Sequence, residues 1–328
     1  MRIHTGRILA RCAPIVAAFA LAAQAMTAAA AWPERPIRLI VPFAPGGSND
    51  VVARVVSAKL TDRLGQPVVV ENRGGAGGSI GTEFVAKSAP DGYTLLFASE
   101  SIMTNAVVGK KLPYDPVTDL QPIGEIGSGP FVIAVGNAVP AKTLGELIAL
   151  ARAKPRTLNY GTAGVGGINH LGTELVAHAA GIKLVHVPYK GISLAFNDMF
   201  AGSLQVMLPS VPSAAPFIRD GRIRGLAVTS AQRSPLLPEM PTAAEAGLPG
   251  FELEVWWGLS GPAKLPAGIV QRLNAELNAA LATPEMQQVL AREGITPRPG
   301  SAQAFSELIR ADYQRWQKLA RDAGLKAE

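Results

Sequence analysis

Short apolar runs alternate along this chain with longer stretches whose apolar residues recur every three or four positions, and glycine or proline stands at most joins. Ile37 to Val41 is apolar enough for a strand buried on both faces, and Asp50 to Leu64 has the spacing of a helix stopped by Gly65. The alternation continues with strands at Val68 to Glu71 and Tyr93 to Phe97 and a helix from Ser79 to Ala89. Ala98 to Pro122 reads as loop-rich. After it come a strand at Phe131 to Val135 and a helix ending at Ala153, capped by Thr143.

The same order then recurs. Leu158 to Tyr160, Lys183 to Val187, Leu204 to Leu208 and Ile223 to Thr229 are strand-like, and Ile168 to Ala180 and Ser193 to Ala201 are helical. Glu252 to Leu259 alternates as a strand. Three helices close the chain, near 269–282, 284–293 and 302–324. Strands separated by helices predict βαβ units, parallel pairing and loops gathered at one sheet edge. The expected architecture is α/β in two lobes, each a mainly parallel sheet flanked by helices. Lobe 1 spans 32–137 and 252–328, and lobe 2 spans 138–251.

The first 31 residues stand apart. Arg2, Arg7 and Arg11 precede an alanine-rich apolar run, and Ala28 to Ala31 offer small residues before Trp32, the pattern of a cleaved secretory signal peptide. Cleavage there removes Cys12, the single cysteine, and with it thiolate chemistry and disulfides. It also lowers the formal charge from +6 to +3, too mild for a nucleic-acid partner.

Candidate chemistry lies in the strand-to-helix joins. Phe43-Ala44-Pro45-Gly46-Gly47-Ser48-Asn49-Asp50 puts flexible glycines before three residues suited to helix N-caps. Gly161 to Gly167 repeats the device in the second half. A helix N-terminus presents unpaired N–H groups and a partial positive charge, which suits an anion. Neither this loop nor Gly74 to Gly78 has the spacing of a dinucleotide or P-loop site. No nucleophile elbow is present, so neither an enzyme nor a cofactor is expected. His170, Glu174 and His178 share a helix face, which suits either a solvated stripe or a metal site.

Several stretches taken together resemble the extracytoplasmic receptors of tripartite tricarboxylate transporters, the Bug or TctC-like family. They are Trp32-Pro33-x-x-Pro36-Ile37-Arg38-Leu39-Ile40-Val41-Pro42-Phe43-Ala44-Pro45-Gly46-Gly47-x-x-Asp50, Val69-Val70-Glu71-Asn72-Arg73, Pro90-Asp91-Gly92-Tyr93-Thr94, Leu112-Pro113-Tyr114-Asp115-Pro116, His186-Val187-Pro188-Tyr189-Lys190-Gly191 and Pro241-Thr242-x-x-Glu245-Ala246-Gly247. The resemblance implies a type II periplasmic binding protein fold and a monomeric periplasmic receptor. Its cleft would close on a small organic carboxylate for delivery to membrane permease subunits.

Carried over, the ligand-binding residues are Phe43, Gly46, Gly47, Ser48 and Asp50 on one side and Thr162, Ala163, Gly164 and Gly167 on the other. Ser99 and His170 lie nearby. Many members have serine where Gly167 stands, and many have an aspartate near Pro209, whose absence disfavours an amino-acid ligand. An alternative role is a ligand sensor acting on a membrane sensor kinase; another is a periplasmic hydrolase or isomerase.

Overall fold

A computed structural model describes residues 32–107, 112–292, 294–322 and 324. The signal-peptide reading falls on residues 1–31, outside the described residues. In chain order the elements begin with β1 (Ile37–Val41), α1 (Ser48–Leu64), β2 (Val68–Asn72), a 3-10 turn (Ala76–Gly78), α2 (Ser79–Ala86), β3 (Thr94–Ser99), α3 (Ser101–Val107), β4 (Leu120–Pro130) and β5 (Val132–Gly136). Next come α4 (Leu144–Ala153), β6 (Asn159–Thr162), α5 (Ile168–Ala180), β7 (Val185–Pro188), α6 (Ile192–Phe200), β8 (Val206–Met207), α7 (Val211–Arg219) and β9 (Ile223–Val228). The chain ends with β10 (Glu254–Pro262), α8 (Ala267–Leu281), α9 (Pro284–Arg292), β11 (Thr296–Pro297) and α10 (Ala302–Asp322).

The strands form two sheets, ordered β11-β4-β10-β3-β1-β2 and β7-β6-β8-β5-β9. Both are mixed, which corrects the expectation of mainly parallel sheets. β1 pairs in parallel with β2 and β3, and β6 with β7 and β8. The strands next to the crossovers run the other way: β10 is antiparallel to β3 and β4, and β5 to β8 and β9. A strand that arrives from the opposite lobe, without a βαβ crossover, is free to enter its sheet in the reverse sense.

The lobe boundary at 137 also moves. β5 belongs to the second sheet, so the chain leaves the first after Pro130. It returns at Glu254, where β10 starts. The expected loop over 98–122 contains α3 and the first residues of β4. β4 reads as a loop because it carries Pro122, Gly124, Gly127 and Gly129, yet it is buried along most of its length and pairs with β10.

β1 lies between two layers, which accounts for its uninterrupted apolar run. Leu39 and Val41 face a core that includes Val52, Val56 and Leu60 of α1 and Leu273 and Leu277 of α8. Ile40 faces the other way, toward Val85 of α2 and Phe305 and Ile309 of α10. Trp256 and Trp257 follow the same alternation but are both buried, because both faces of the sheet are covered. The last helix therefore closes the first lobe, as its apolar stripe predicts.

Candidate functional site

The join after β1 is built by its own side chains. Gly46 takes φ +84°, and Gly47 is the extended N-cap of α1. Asp50, in the first helical turn, is buried. Its carboxylate accepts from the Gly46 N–H (3.0 Å), from Asn72 Nδ2 (3.0 Å) and from Arg54 Nε (3.0 Å). Burial pushes its carboxyl upward, but the hydrogen bonds from Arg54, Gly46 and Asn72 outweigh burial and hold it below its ordinary value. Asp50 thus fixes the loop that precedes its helix by holding the N–H of Gly46, the residue before the N-cap. Trp257 Nε1 donates to Asn49 Oδ1 (3.0 Å), tying the N-terminus of α1 to β10.

The second join mirrors the first. Gly167 caps α5. Thr162 Oγ1 accepts from the Gly164 N–H (3.1 Å) and bonds to His186 Nε2 (2.6 Å). His170 Nδ1 accepts from the Gly166 N–H (3.2 Å), and its ring stacks on His186 with centroids 4.2 Å apart. Burial first, then the neighbouring His170, pushes His186 down to about 4. This imidazole pair supports the glycine loop from beneath.

The two joins meet across the lobes. The Ile168 N–H donates to Ser101 Oγ (3.2 Å) and Ser193 Oγ donates to the Pro45 carbonyl (2.8 Å), both between lobes; within the first lobe, Asn105 Nδ2 donates to the Gly77 carbonyl (2.7 Å). Gly164 lies on Gly77 so closely that a Cβ there would stand 2.5 Å from the Gly77 nitrogen.

Between them lies a small enclosed cavity of ≈ 20 Å³, room for about one water. Phe43, Gly47, Ser99 and Ala163, four of the residues expected to bind ligand, are in its lining. Gly46, Asp50, Thr162, Gly164, Gly167 and His170 are absent from its lining. Ser48 is the first residue of α1.

Residues not expected from sequence complete the walls. Asn49 and Asn169 stand in the first turns of α1 and α5. Ala44, Phe131, Ile168, Ile192 and Val255 are apolar, and Ser210 precedes α7. Asn49 was legible as a helix-start residue. Phe131 and Val255 carry no chemical signal; only their place at the crossovers brings them to the cavity. Ser99 is 1% exposed and its Oγ has no hydrogen-bond partner among the described residues. Among the described residues, no lysine, arginine, histidine or acid is in the lining. An anion there meets helix N-termini, amides and hydroxyls.

The histidine stripe does not assemble a metal site. Glu174 accepts from the Tyr160 hydroxyl (2.5 Å), His178 is exposed at the far end of α5, and no metal-binding cluster occurs among the described residues.

Two α/β lobes around a cavity with paired helix N-termini are the architecture of a periplasmic solute-binding protein. The family model described as "Tripartite tricarboxylate transporter family receptor" (TctC) matches residues 52–325. The chain belongs to this family. The "UPF0065 protein in tcbD-tcbE intergenic region" of Pseudomonas sp. (strain P51) is 40% identical over 298 residues, 90% of this chain and 89% of its own. "Protein BugT" of Bordetella pertussis is 38% identical over 297 residues, 90% of this chain and 91% of its own.

Solved structures agree. "R. palustris Rpa4515 with adipate" superposes with TM-score 0.87 at 37% identity, covering 90% of this chain and 99% of that one. "Structure of periplasmic binding protein BugD" gives 0.87 at 34% identity, covering 90% and 100%. "MatC (Rpa3494) from Rhodopseudomonas palustris with bound malate" gives 0.84 at 31% identity, covering 88% and 99%. These relatives are substrate-binding receptors and not enzymes.

Proposed function

We propose that this chain is a periplasmic receptor that captures a small organic carboxylate between its lobes and delivers it to a tripartite tricarboxylate-type permease. One observation carries the reading: the N-termini of α1 and α5, from opposite lobes, converge on one enclosed cavity that holds an unpartnered Ser99 hydroxyl. Helix N-termini attract carboxylate through N–H groups and dipole without needing a basic side chain. The cavity's small volume means that a dicarboxylate enters only when the lobes part, and that the lobes hold it in a wider cleft than this one.

The walls narrow the class of ligand. Phe43, Phe131, Ile192 and Val255 suit an apolar body between the polar ends. The absence of an acidic side chain leaves no charged partner for an ammonium group, which argues against amino acids. An aliphatic dicarboxylate fits best, in keeping with the adipate-bound and malate-bound relatives.

Thermal shift and calorimetry of the chain from Trp32 onward test this against adipate, malate, citrate, glutamate and neutral adipamide. The reading expects adipate to bind more tightly than glutamate and adipamide to be silent. A ligand at 100 times its Kd adds about 2.7 kcal/mol of stability. A response confined to sugars, metals or adipamide overturns the reading. Loss of uptake of the bound carboxylate in a receptor-deleted strain tests delivery.

A further inference from the structure

Behind the β10 wall of the cleft, a second pocket of ≈ 480 Å³ opens where the chain crosses between lobes. Val255 lines both this pocket and the interlobe cavity. The innermost residue is Glu100, next in the chain to Ser99. Around it stand Glu125 of β4, Asp312 of α10, and Glu252 and Glu254 where β10 begins. Two basic residues, Arg298 and Arg315, face these five acids. Leu253, Leu308 and Trp256 supply apolar wall.

Acids alone would describe only a solvated patch. The buried carboxyl adds an independent observation. Glu100 is 0% exposed. Its Oε1 accepts from Trp316 Nε1 and from Arg315 Nη2 (3.1 Å), and Arg315 is shared with Asp312 (3.3 Å). Glu100 is among the residues lining the pocket, and its buried Oε2 has no hydrogen-bond partner among the described residues. A buried carboxyl oxygen without a donor is costly, and folded chains leave few of them. Asp312 is already engaged by Trp256 Nε1 (2.9 Å), so it does not supply the missing donor.

That oxygen either shares the carboxyl's own proton or, once the proton leaves, needs a donor that also carries charge. A metal ion fits poorly, since no group of three acids or histidines among the described residues is placed to hold one. An ammonium head offers three N–H donors to the acids, and a short alkyl tail suits Leu253, Val255 and Leu308. The volume is that of a small-molecule site, at the domain junction where such sites recur. We propose that this pocket is a second ligand site, for a small alkylammonium ion, with Glu100 Oε2 as its innermost acceptor. It is independent of the carboxylate reading of the cleft.

Proton release gives the site a signature. Burial, then the charge of Asp312, pushes the Glu100 carboxyl up to about 8, so it retains its proton at neutral pH. The charged and titratable groups around it are Asp312 and Arg315 on α10, Glu125 on β4, Glu252 and Glu254 at the start of β10, and Arg298 beyond β11. An ammonium ion at Oε2 favours the carboxylate and expels that proton.

Calorimetry with butylammonium chloride at pH 7, in two buffers of different ionisation enthalpy, tests the proposal; 1-butanol and calcium chloride are controls. Saturable binding of butylammonium alone is expected, with an apparent enthalpy that changes with the buffer. Glu100→Gln should bind at least tenfold more weakly, and Glu252→Gln, on the exposed rim, should bind more weakly by a smaller factor. Thermal unfolding checks that both variants fold. If Glu100→Gln fails to fold, the rim variant and the buffer dependence decide. No saturable binding, equal binding of butanol or calcium, or unchanged affinity in every folded variant overturns the proposal.

Discussion

Gly164 of the second lobe lies directly on Gly77 of the first: a methyl group on Gly164 would stand 2.5 Å from the Gly77 nitrogen and 3.0 Å from its Cα. Gly164 also holds φ +122°, a conformation that L side chains rarely adopt. The contact lies between lobes, so a Cβ there opposes closure more than it opposes folding of either lobe. Gly164→Ala is expected to weaken closure by about 1–3 kcal/mol, the usual cost of overpacking. Ligand Kd should then rise by roughly 5- to 150-fold at nearly unchanged helix content. Calorimetry with circular dichroism reads both quantities, and an unchanged Kd would count against closure as the binding event.

The Trp257–Asn49 hydrogen bond joins the returning strand to the first turn of α1. Trp257→Phe keeps an aromatic ring in the core but removes the N–H donor. The expected loss is about 1 kcal/mol of stability for the hydrogen bond, with a further contribution from the smaller ring. Asn49 also lines the cavity, so ligand affinity should fall in the same variant. A denaturant titration and a ligand titration together test this; lost stability with unchanged affinity would restrict Trp257 to packing.

Much of this fold was legible because local rules and tertiary demands agree. The run Ile37 to Val41, the helix Ile168 to Ala180 and the cap at Thr143 appear as read. β4 was not legible, because its glycines and prolines signal a turn; partners far along the chain hold it in a sheet. The direction of β5 and β10 depends on crossovers, which leave no periodic signature. At the site, four of the residues expected to bind ligand, Phe43, Gly47, Ser99 and Ala163, line the cavity, and others lie outside its lining. Asp50 is the clear example: its carboxylate is consumed by Gly46, Asn72 and Arg54. A side chain's direction within a turn does not follow from its residue type. Crossover residues such as Phe131 and Val255 reach the cavity only through the three-dimensional path.

One histidine and two carboxyls give opposite pH dependences, and the signs separate them. His186 is pushed down to about 4 from an ordinary 6.5, so the unfolded chain binds its proton first and stability falls as pH drops from 6.5 toward 4. Glu100 is pushed up to about 8 and Glu125 to about 7 from an ordinary 4.5, in both cases chiefly by burial. Their contributions are complete below pH 4.5 and are lost as pH rises toward 8 and 7. Above pH 6.5 the raised carboxyls act without His186, and stability should decline up to pH 8. Denaturant midpoints measured across this range should flatten on the alkaline side in Glu100→Gln and on the acid side in His186→Asn. An alkaline slope that persists in Glu100→Gln and in Glu125→Gln would assign it to other groups.

Ser99 offers the sharpest test of the cavity, because its two expected effects have opposite signs. Its hydroxyl is buried without a hydrogen-bond partner among the described residues, a condition that costs stability. Ser99→Ala removes the unsatisfied group and leaves the end of β3 unchanged. Free-protein stability should therefore hold or rise, by up to about 1–3 kcal/mol. In the ligand-bound state the same hydroxyl would donate to a carboxylate, a charge-assisted bond worth about 1.5–3 kcal/mol. Affinity should fall by roughly 10- to 150-fold while the unliganded melting temperature stays level or increases. Loss of stability together with unchanged affinity would mean that the hydroxyl serves the fold and that the carboxylate is held elsewhere in the cleft.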